Sequence, residues 1–146
     1  MKHPDPNPTP PPREPNTNTT PAAPATFCPR PFDHHRLDAF WVARQALASG
    51  DAIARQLPRG YGPLADQLRR ALLSAYLGVA EAASRTGADR ASRFRCARGE
   101  ASEAAAALEA VATLGLAARP QVEPVIALLA RLCAMLTRLA GFQRQR

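Results

Sequence analysis

The sequence predicts an all-α protein, an antiparallel up-down-up-down four-helix bundle preceded by a disordered N-terminal tail. Three observations predict it. Eleven of the fifteen prolines lie between Pro4 and Pro31. After that point apolar residues recur every three to four positions, which is the spacing of one helix face. Breaks that contain glycine or proline then divide this pattern into four segments of about 20–25 residues, as the short connections of a bundle require.

The tail is predicted from its composition. Residues 1–31 are rich in Pro, Thr and Asn and contain almost no large apolar side chains. They cannot bury enough surface to offset the entropy of ordering, so we expect a disordered tail with polyproline II character. A PxxP spacing from Pro8 to Pro11 could fit an aromatic groove, although a proline-rich segment also produces such spacings by chance. Residues 32–146 are expected to form the bundle.

The first two helices are predicted on either side of a strong break. The first, over about 33–57, carries an apolar stripe from Phe40 to Leu57 and ends where 58–63 supplies two prolines and two glycines. The second, over about 64–85, has Gly87 as its expected C-cap residue.

The last two helices are predicted on either side of the break at 115–120. The third, over about 90–116, is expected to be capped by Asp89, and its core face is thin because it is rich in alanine. The fourth, over about 122–142, tolerates Pro124 in its first turn and carries an apolar stripe as far as Leu139, before Gly141 ends it.

The second predicted helix is apolar on two sides. One stripe runs from Leu64 to Ala82 and suits the core. Because a helix in a four-helix bundle needs only one buried face, a second apolar stripe predicts self-association. The candidate oligomer-interface residues are Leu73, Tyr76, Leu77 and Ala80.

The positive charge of the chain lies mainly in the predicted bundle. The formal net charge is +7, and sixteen arginines but only ten acidic residues follow from Phe32 onward. A positive surface raises affinity for polyanions, which makes nucleic acid a candidate partner. At 100° per residue, however, the arginines around the third helix point in different directions, so a solvated charged surface is the alternative. The candidate nucleic-acid-binding residues are Arg85, Arg90, Arg95 and Arg98.

The sequence offers no motif for catalysis, a metal or a cofactor. P-loop, serine-nucleophile and Glu-x-x-His patterns are absent, and Cys28, His34 and His35 lack a plausible ligand spacing. We therefore expect a non-enzyme; a site assembled between subunits from Glu81, Glu100, Glu103 and arginines is the remaining enzymatic alternative. Three scattered cysteines, two at core-type helical positions, and the lack of an apolar leader or long apolar run predict a cytoplasmic protein without membrane association.

Two segments carry a family resemblance. Gln67-Leu68-Arg69-Arg70-Ala71 leads into Val79-Ala80-Glu81, and after a short loop Arg93-Phe94 precedes Ala97-Arg98-Gly99. This pattern resembles the bacterial four-helix bundle family of proteins encoded in 23S rRNA intervening sequences, which includes the accessory variability determinant proteins of diversity-generating retroelements. The resemblance covers roughly Phe32 to Gly141. The motif residues it singles out are Gln67, Arg69, Arg70, Glu81, Arg93, Phe94, Arg98 and Gly99.

The resemblance implies a non-catalytic homo-oligomer, in relatives a homopentameric ring with a basic surface. It also implies binding of RNA or DNA and, in retroelements, of a reverse transcriptase. A partly buried interhelical ion pair between Glu81 and Arg98 is our hypothesis for the two polar motif residues. The chain departs from the family at Gly78, Ala82 and Glu100, where relatives usually have Asn, Gly and Ser. A protein-interaction scaffold without a nucleic-acid role is the alternative function.

Overall fold

The computed structural model describes residues 31–141, and in this range it is all-helical. A 3₁₀ turn, Asp33–Arg36, precedes four helices. The helices are α1 (Asp38–Gln56), α2 (Gly62–Ala83), α3 (Gly87–Thr113) and α4 (Arg119–Leu139). Each helix packs on the next, and α1 also packs on α4, so the four form a closed ring around one core. The predicted four-helix bundle is confirmed; the predicted tail lies outside the described residues.

The first helix begins later than predicted. The 3₁₀ turn ends at Arg36, and Leu37 is extended (φ −96°, ψ 120°) before α1 starts at Asp38. The turn is held by aromatic packing, since the rings of His34 and Phe40 lie 4.4 Å apart. The indole N–H of Trp41 also donates to the carbonyl of His35 (3.1 Å). These contacts hold residues 33–37 in place without extending α1 toward the N-terminus.

The predicted caps of α2 and α3 were wrong. Helix α2 ends at Ala83, where the C-cap Ser84 donates its hydroxyl to the carbonyl of Glu81 (2.8 Å). Gly87, with φ of 56°, therefore begins α3 instead of ending α2. Asp89 consequently lies inside the first turn of α3, where a carboxylate is still favourable to the helix dipole.

Helix α3 ends and α4 begins a turn earlier than predicted. Helix α3 stops at Thr113, followed by Gly115 in the left-handed region (φ 68°). Helix α4 starts at Arg119 because Pro120 suits the first turn and the Gln121 side chain accepts from the N–H of Ala118 (3.1 Å). At its far end, Gly141 (φ 64°) follows the last turn, as the sequence predicted.

The core is apolar throughout the described residues, and none of its buried side chains is polar or charged. Cys96 lies at the surface, contrary to its predicted core-type position, and Cys133 is half-buried. The α3 wall of the core is built largely of alanine, which lets the neighbouring helices approach closely. The largest fully buried side chains are Phe94, Leu68, Leu72, Leu108, Leu129, Leu132, Leu136, Val79, Val111 and Val122.

Two glycines leave room for residues of the neighbouring helices. A Cβ on Gly50 of α1 would collide with the terminal methyl groups of Leu72 on α2. A Cβ on Gly78 of α2 would lie 3.0 Å from Cβ of Ala97 on α3. Gly78 therefore has a packing reason in this chain, because an Asn at that position would meet the backbone of α3.

Candidate self-association and nucleic-acid surfaces

The outer side of α2 carries an exposed pair of leucines. Leu73 and Leu77 lie one helical turn apart and are 47% and 52% exposed. The other two predicted interface residues are more covered, because Tyr76 and Ala80 pack against the edge of the core. The ring of Tyr76 lies 4.9 Å from that of Phe40 on α1. The second apolar stripe of α2 is thus half solvent-facing and half part of the α1–α2 contact.

The apolar surface continues from α2 onto α1. A shallow groove of about 410 Å³ between the two helices is lined by Tyr76, Leu47 and Ala48, with Arg44 and Asp51 at its polar rim. The surface formed by Leu73, Leu77 and this groove is called the α2 apolar face below. Apolar area of this kind on a small domain is typical of an interaction site.

Three family-motif residues lie on the flanks of this face. The Nε of Arg69 donates to Asp51 (3.0 Å) and ties α2 to α1. On the other side, the amide of Gln67 donates to Glu103 and ties α2 to α3. Arg70 is exposed beside the leucine pair. Two of the three therefore hold neighbouring helices in register.

Glu81 forms the predicted interhelical ion pair, but with Arg93. It also pairs with Arg85 one turn along its own helix. Arg98, the predicted partner, extends toward α4 and donates to the hydroxyl of Thr137 (3.3 Å). The hypothesis was therefore wrong in its basic residue.

The antiparallel register of α2 and α3 explains the exchange. Gly78 faces Ala97, and the two helices are antiparallel. Glu81, three positions after Gly78, therefore lies level with Arg93, four positions before Ala97. Five residues further along, Arg98 is rotated by 140° and points away from α2. The remaining motif residues have different environments: Phe94 is fully buried, whereas Gly99 has open space around it.

The four predicted nucleic-acid-binding arginines do not converge. Arg85 is held by Asp89 (2.7 Å) and Glu81, and its hydrogen bond with Asp89 is the main cause that raises its pKa above the ordinary value. The guanidinium of Arg90 lies over the ring of Phe94, 5.4 Å from its centre. Arg95 alone is exposed on the outer side of α3, and Arg98 faces α4. Helix α3 therefore presents no continuous basic surface.

A second basic site lies between α1 and α4, where sequence analysis did not place one. Arg44 and Arg131 line opposite walls of a groove of about 450 Å³. Arg44 lies over the indole of Trp41, 5.5 Å from the ring centre. The i, i+3 spacing of Trp41 and Arg44 was visible in the sequence. The proximity of Arg131, which lies on another helix, was not. The groove is lined by Asp38, Trp41, Val42, Arg44, Gln45, Ala48 and Arg131.

Chemistry-bearing side chains are sparse in the described range. Between residues 31 and 141 no three His, Cys, Asp or Glu side chains are grouped as metal ligands would be. His34 and His35 pack against each other with ring centres 4.4 Å apart. Burial is the main cause that lowers the pKa of His34, and the neighbouring His35 is the second.

None of the helices in this part of the chain is long and apolar enough to cross a membrane.

Comparison with known proteins adds no relative to this picture. Neither a scan against protein-family models nor a search of curated proteins gave a match to this chain. The resemblance carried by the motifs on α2 and α3 therefore stays a prediction.

Proposed function

We propose that the chain is a non-catalytic, homo-oligomeric four-helix bundle that associates with RNA or DNA through a basic surface, as an accessory factor to a larger enzyme such as a reverse transcriptase. The observation that carries the proposal is the exposed leucine pair on α2. Large apolar side chains at half exposure on a helix that already has a complete core face favour an additional protein contact. A second copy is the simplest partner, because it is always present at the same concentration.

The interface must extend beyond the leucines. A stable protein–protein contact buries roughly 800 Å² on each partner, far more than two half-exposed leucines provide. The adjoining α1–α2 groove, with Tyr76 and Leu47, supplies further apolar area on the same side of the molecule. In a ring, which has five subunits in the family that the motifs resemble, the same interface recurs between neighbouring subunits. Each basic residue is then displayed once per subunit.

Nucleic-acid association is supported by the excess of arginine. From Phe32 onward the net charge is +6, and all basic residues there are Arg, whose guanidinium forms bidentate contacts with phosphate. Counterion release makes such binding strongly salt-dependent, which distinguishes it from apolar contacts. The family resemblance points in the same direction.

Self-association is tested by charge substitution on α2. We expect Leu73→Glu combined with Leu77→Glu to reduce the native mass toward that of one chain. Leu114→Glu is the matched control, since Leu114 is 53% exposed but lies in the turn after α3. Light scattering of the full chain gives the mass. Equal masses for wild type and the α2 variant would contradict the proposed interface.

Nucleic-acid binding is tested by fluorescence anisotropy. The full chain is titrated into a labelled 20-nucleotide strand, or the duplex of that strand, at several salt concentrations. We expect affinity to fall steeply as salt rises. A wild-type multimer that binds neither probe would refute the nucleic-acid role and favour the alternative.

That alternative is a protein-interaction scaffold. A specific observation favours it: Arg85 and Arg93 are occupied by acidic partners, and Arg90 lies over Phe94. In that case the positive charge stabilises the bundle instead of binding phosphate.

A further inference from the structure

We propose that the nucleic-acid contact surface is the α1–α4 side of the bundle, where Arg44, Arg131 and Arg138 bind the sugar–phosphate backbone. The three residues are called the α1–α4 arginine triad. This inference rests on the proposed function and assigns it a place different from the α3 arginines that the sequence suggested. It names the ligand chemistry as consecutive phosphodiesters, read without base contacts.

The geometry of the triad suits a linear polyanion. Arg44 and Arg131 face each other across the groove between α1 and α4. Arg131 and Arg138 are seven residues apart on α4, so they share one side of the helix at a separation of about 10.5 Å along its axis. Because a nucleic-acid strand carries one charge per ~3.4 Å of axis, this distance spans about three nucleotides.

Helix α4 contributes little negative charge to the surroundings of the triad. Helix α4 contains no acidic residue after Glu123, and Glu123 lies next to Arg119 at the opposite end (3.9 Å). Within residues 31–141, no carboxylate lies at ion-pair distance from any member of the triad. Asp38 lines the groove between α1 and α4, and Asp51 lines the adjoining α1–α2 groove together with Arg44. This contrasts with Arg85 and Arg93, whose charges are neutralised by neighbouring carboxylates.

Arg44 lies against an aromatic ring. Its guanidinium lies over the indole of Trp41, and the indole N–H is fixed by the carbonyl of His35. A cation held over an aromatic ring keeps its N–H donors directed to solvent. All three arginines of the triad are exposed.

Arg131 and Arg138 of the triad lie away from the leucine pair of α2, whereas Arg44 lies at the rim of both the α1–α4 groove and the α1–α2 groove. In the ring of helices α1, α2, α3 and α4, α2 and α4 occupy diagonal corners. Contacts made through the leucine pair of α2 therefore leave the outer side of α4 accessible. An oligomer would display one triad per subunit, so that a single strand could contact several triads.

The test removes the positive charges of the triad in one variant and three other exposed positive charges in a second. The first variant of the full chain is Arg44→Gln, Arg131→Gln, Arg138→Gln. The matched control is Arg59→Gln, Arg95→Gln, Arg119→Gln, which removes the same charge from exposed positions off this side. A third variant, Arg44→Lys, Arg131→Lys, Arg138→Lys, keeps the charge. Anisotropy with a labelled 20-nucleotide strand and with its duplex, from 50 to 300 mM salt, is the readout, and native mass checks assembly.

The expected result has a defined size. Loss of three phosphate contacts per bound subunit reduces the salt slope for a single strand by about 2, at ~0.7 for each contact, and for a duplex by about 2.7. At 0.1 M salt the single-strand affinity falls by about 100-fold. The lysine variant retains most of the slope, and the control changes affinity by less than about threefold.

Two outcomes would contradict the proposed contact surface, and a third would contradict nucleic-acid binding altogether. Equal losses in the triad variant and the control would show that only total charge matters. A loss confined to the control would return the contact surface to α3 and the loops. If the wild-type chain binds neither strand nor duplex, the proposed nucleic-acid function itself fails, which is a different result from a misplaced surface.

Discussion

The close packing of α2 against α3 at Gly78 predicts how a substitution there changes the stability of the bundle. An added Cβ would lie 3.0 Å from Cβ of Ala97, whereas ordinary carbon contacts are 3.5–4.0 Å. The neighbouring atom is fixed to the backbone of a buried residue, so relief requires the two helices to separate by several tenths of an ångström. Overpacking of this kind costs about 2 kcal/mol, while replacing a mid-helix glycine by alanine gains about 1 kcal/mol. Gly78→Ala should therefore destabilise the bundle by about 1 kcal/mol.

Gly99 provides the matched control. It also lies inside a helix, but nothing is within 4 Å of an added Cβ. Gly99→Ala should stabilise the bundle by about 1 kcal/mol, which raises the melting temperature by about 4 °C for a domain of this size. Urea unfolding of both variants, followed by circular dichroism, measures the difference. If Gly78→Ala were as stable as Gly99→Ala, the close approach of α2 and α3 would be wrong.

Two further predictions concern charged and titratable residues. The pKa of His34 is lowered by burial and by His35, so the unfolded chain binds the proton first as pH falls. The contribution of His34 to stability should be fully present well above pH ~6.5 and be lost as the pH falls below it. The His34→Gln variant should therefore lose less stability than wild type between pH 7.5 and 5.5, measured as urea midpoints, and an unchanged pH dependence would contradict this. Arg93→Ala removes the interhelical ion pair with Glu81, whose two side chains are each about one-third exposed or more. Because solvent screens such a pair, the free energy of unfolding should fall by less than about 1 kcal/mol in urea unfolding. A loss above about 2 kcal/mol would contradict the view that this is a screened surface pair.

The fold class was predictable because the repeat of apolar residues and the glycine and proline breaks are local features. The start of α1 was not, because the 3₁₀ turn before it makes tertiary contacts, with the rings of His34 and His35 packed on Phe40 and Trp41. Tertiary contacts of this kind leave no periodic signal in the sequence. The same limit applies to Cys96, which sits close enough to the core stripe in sequence to look buried but lies on the outer side of α3.

The candidate surfaces were predictable only in part. Leu73 and Leu77 were singled out because an excess of apolar residues on one helix is visible without neighbours. The pairing of Glu81 depended on the register between α2 and α3, which the sequence does not specify. Arg44 and Arg131 come together only because α1 packs on α4. Interhelical relationships, unlike helix faces, required the three-dimensional structure.

The native mass of the full chain, measured by light scattering across a range of protein concentrations, tests the central claim most directly. Self-association through the α2 apolar face predicts a mass that is an integral multiple of the 15.7 kDa chain, about 79 kDa for a ring of five. A constant mass of one chain at every concentration would contradict the account, because the exposed leucine pair of α2 would then have no second copy to cover it.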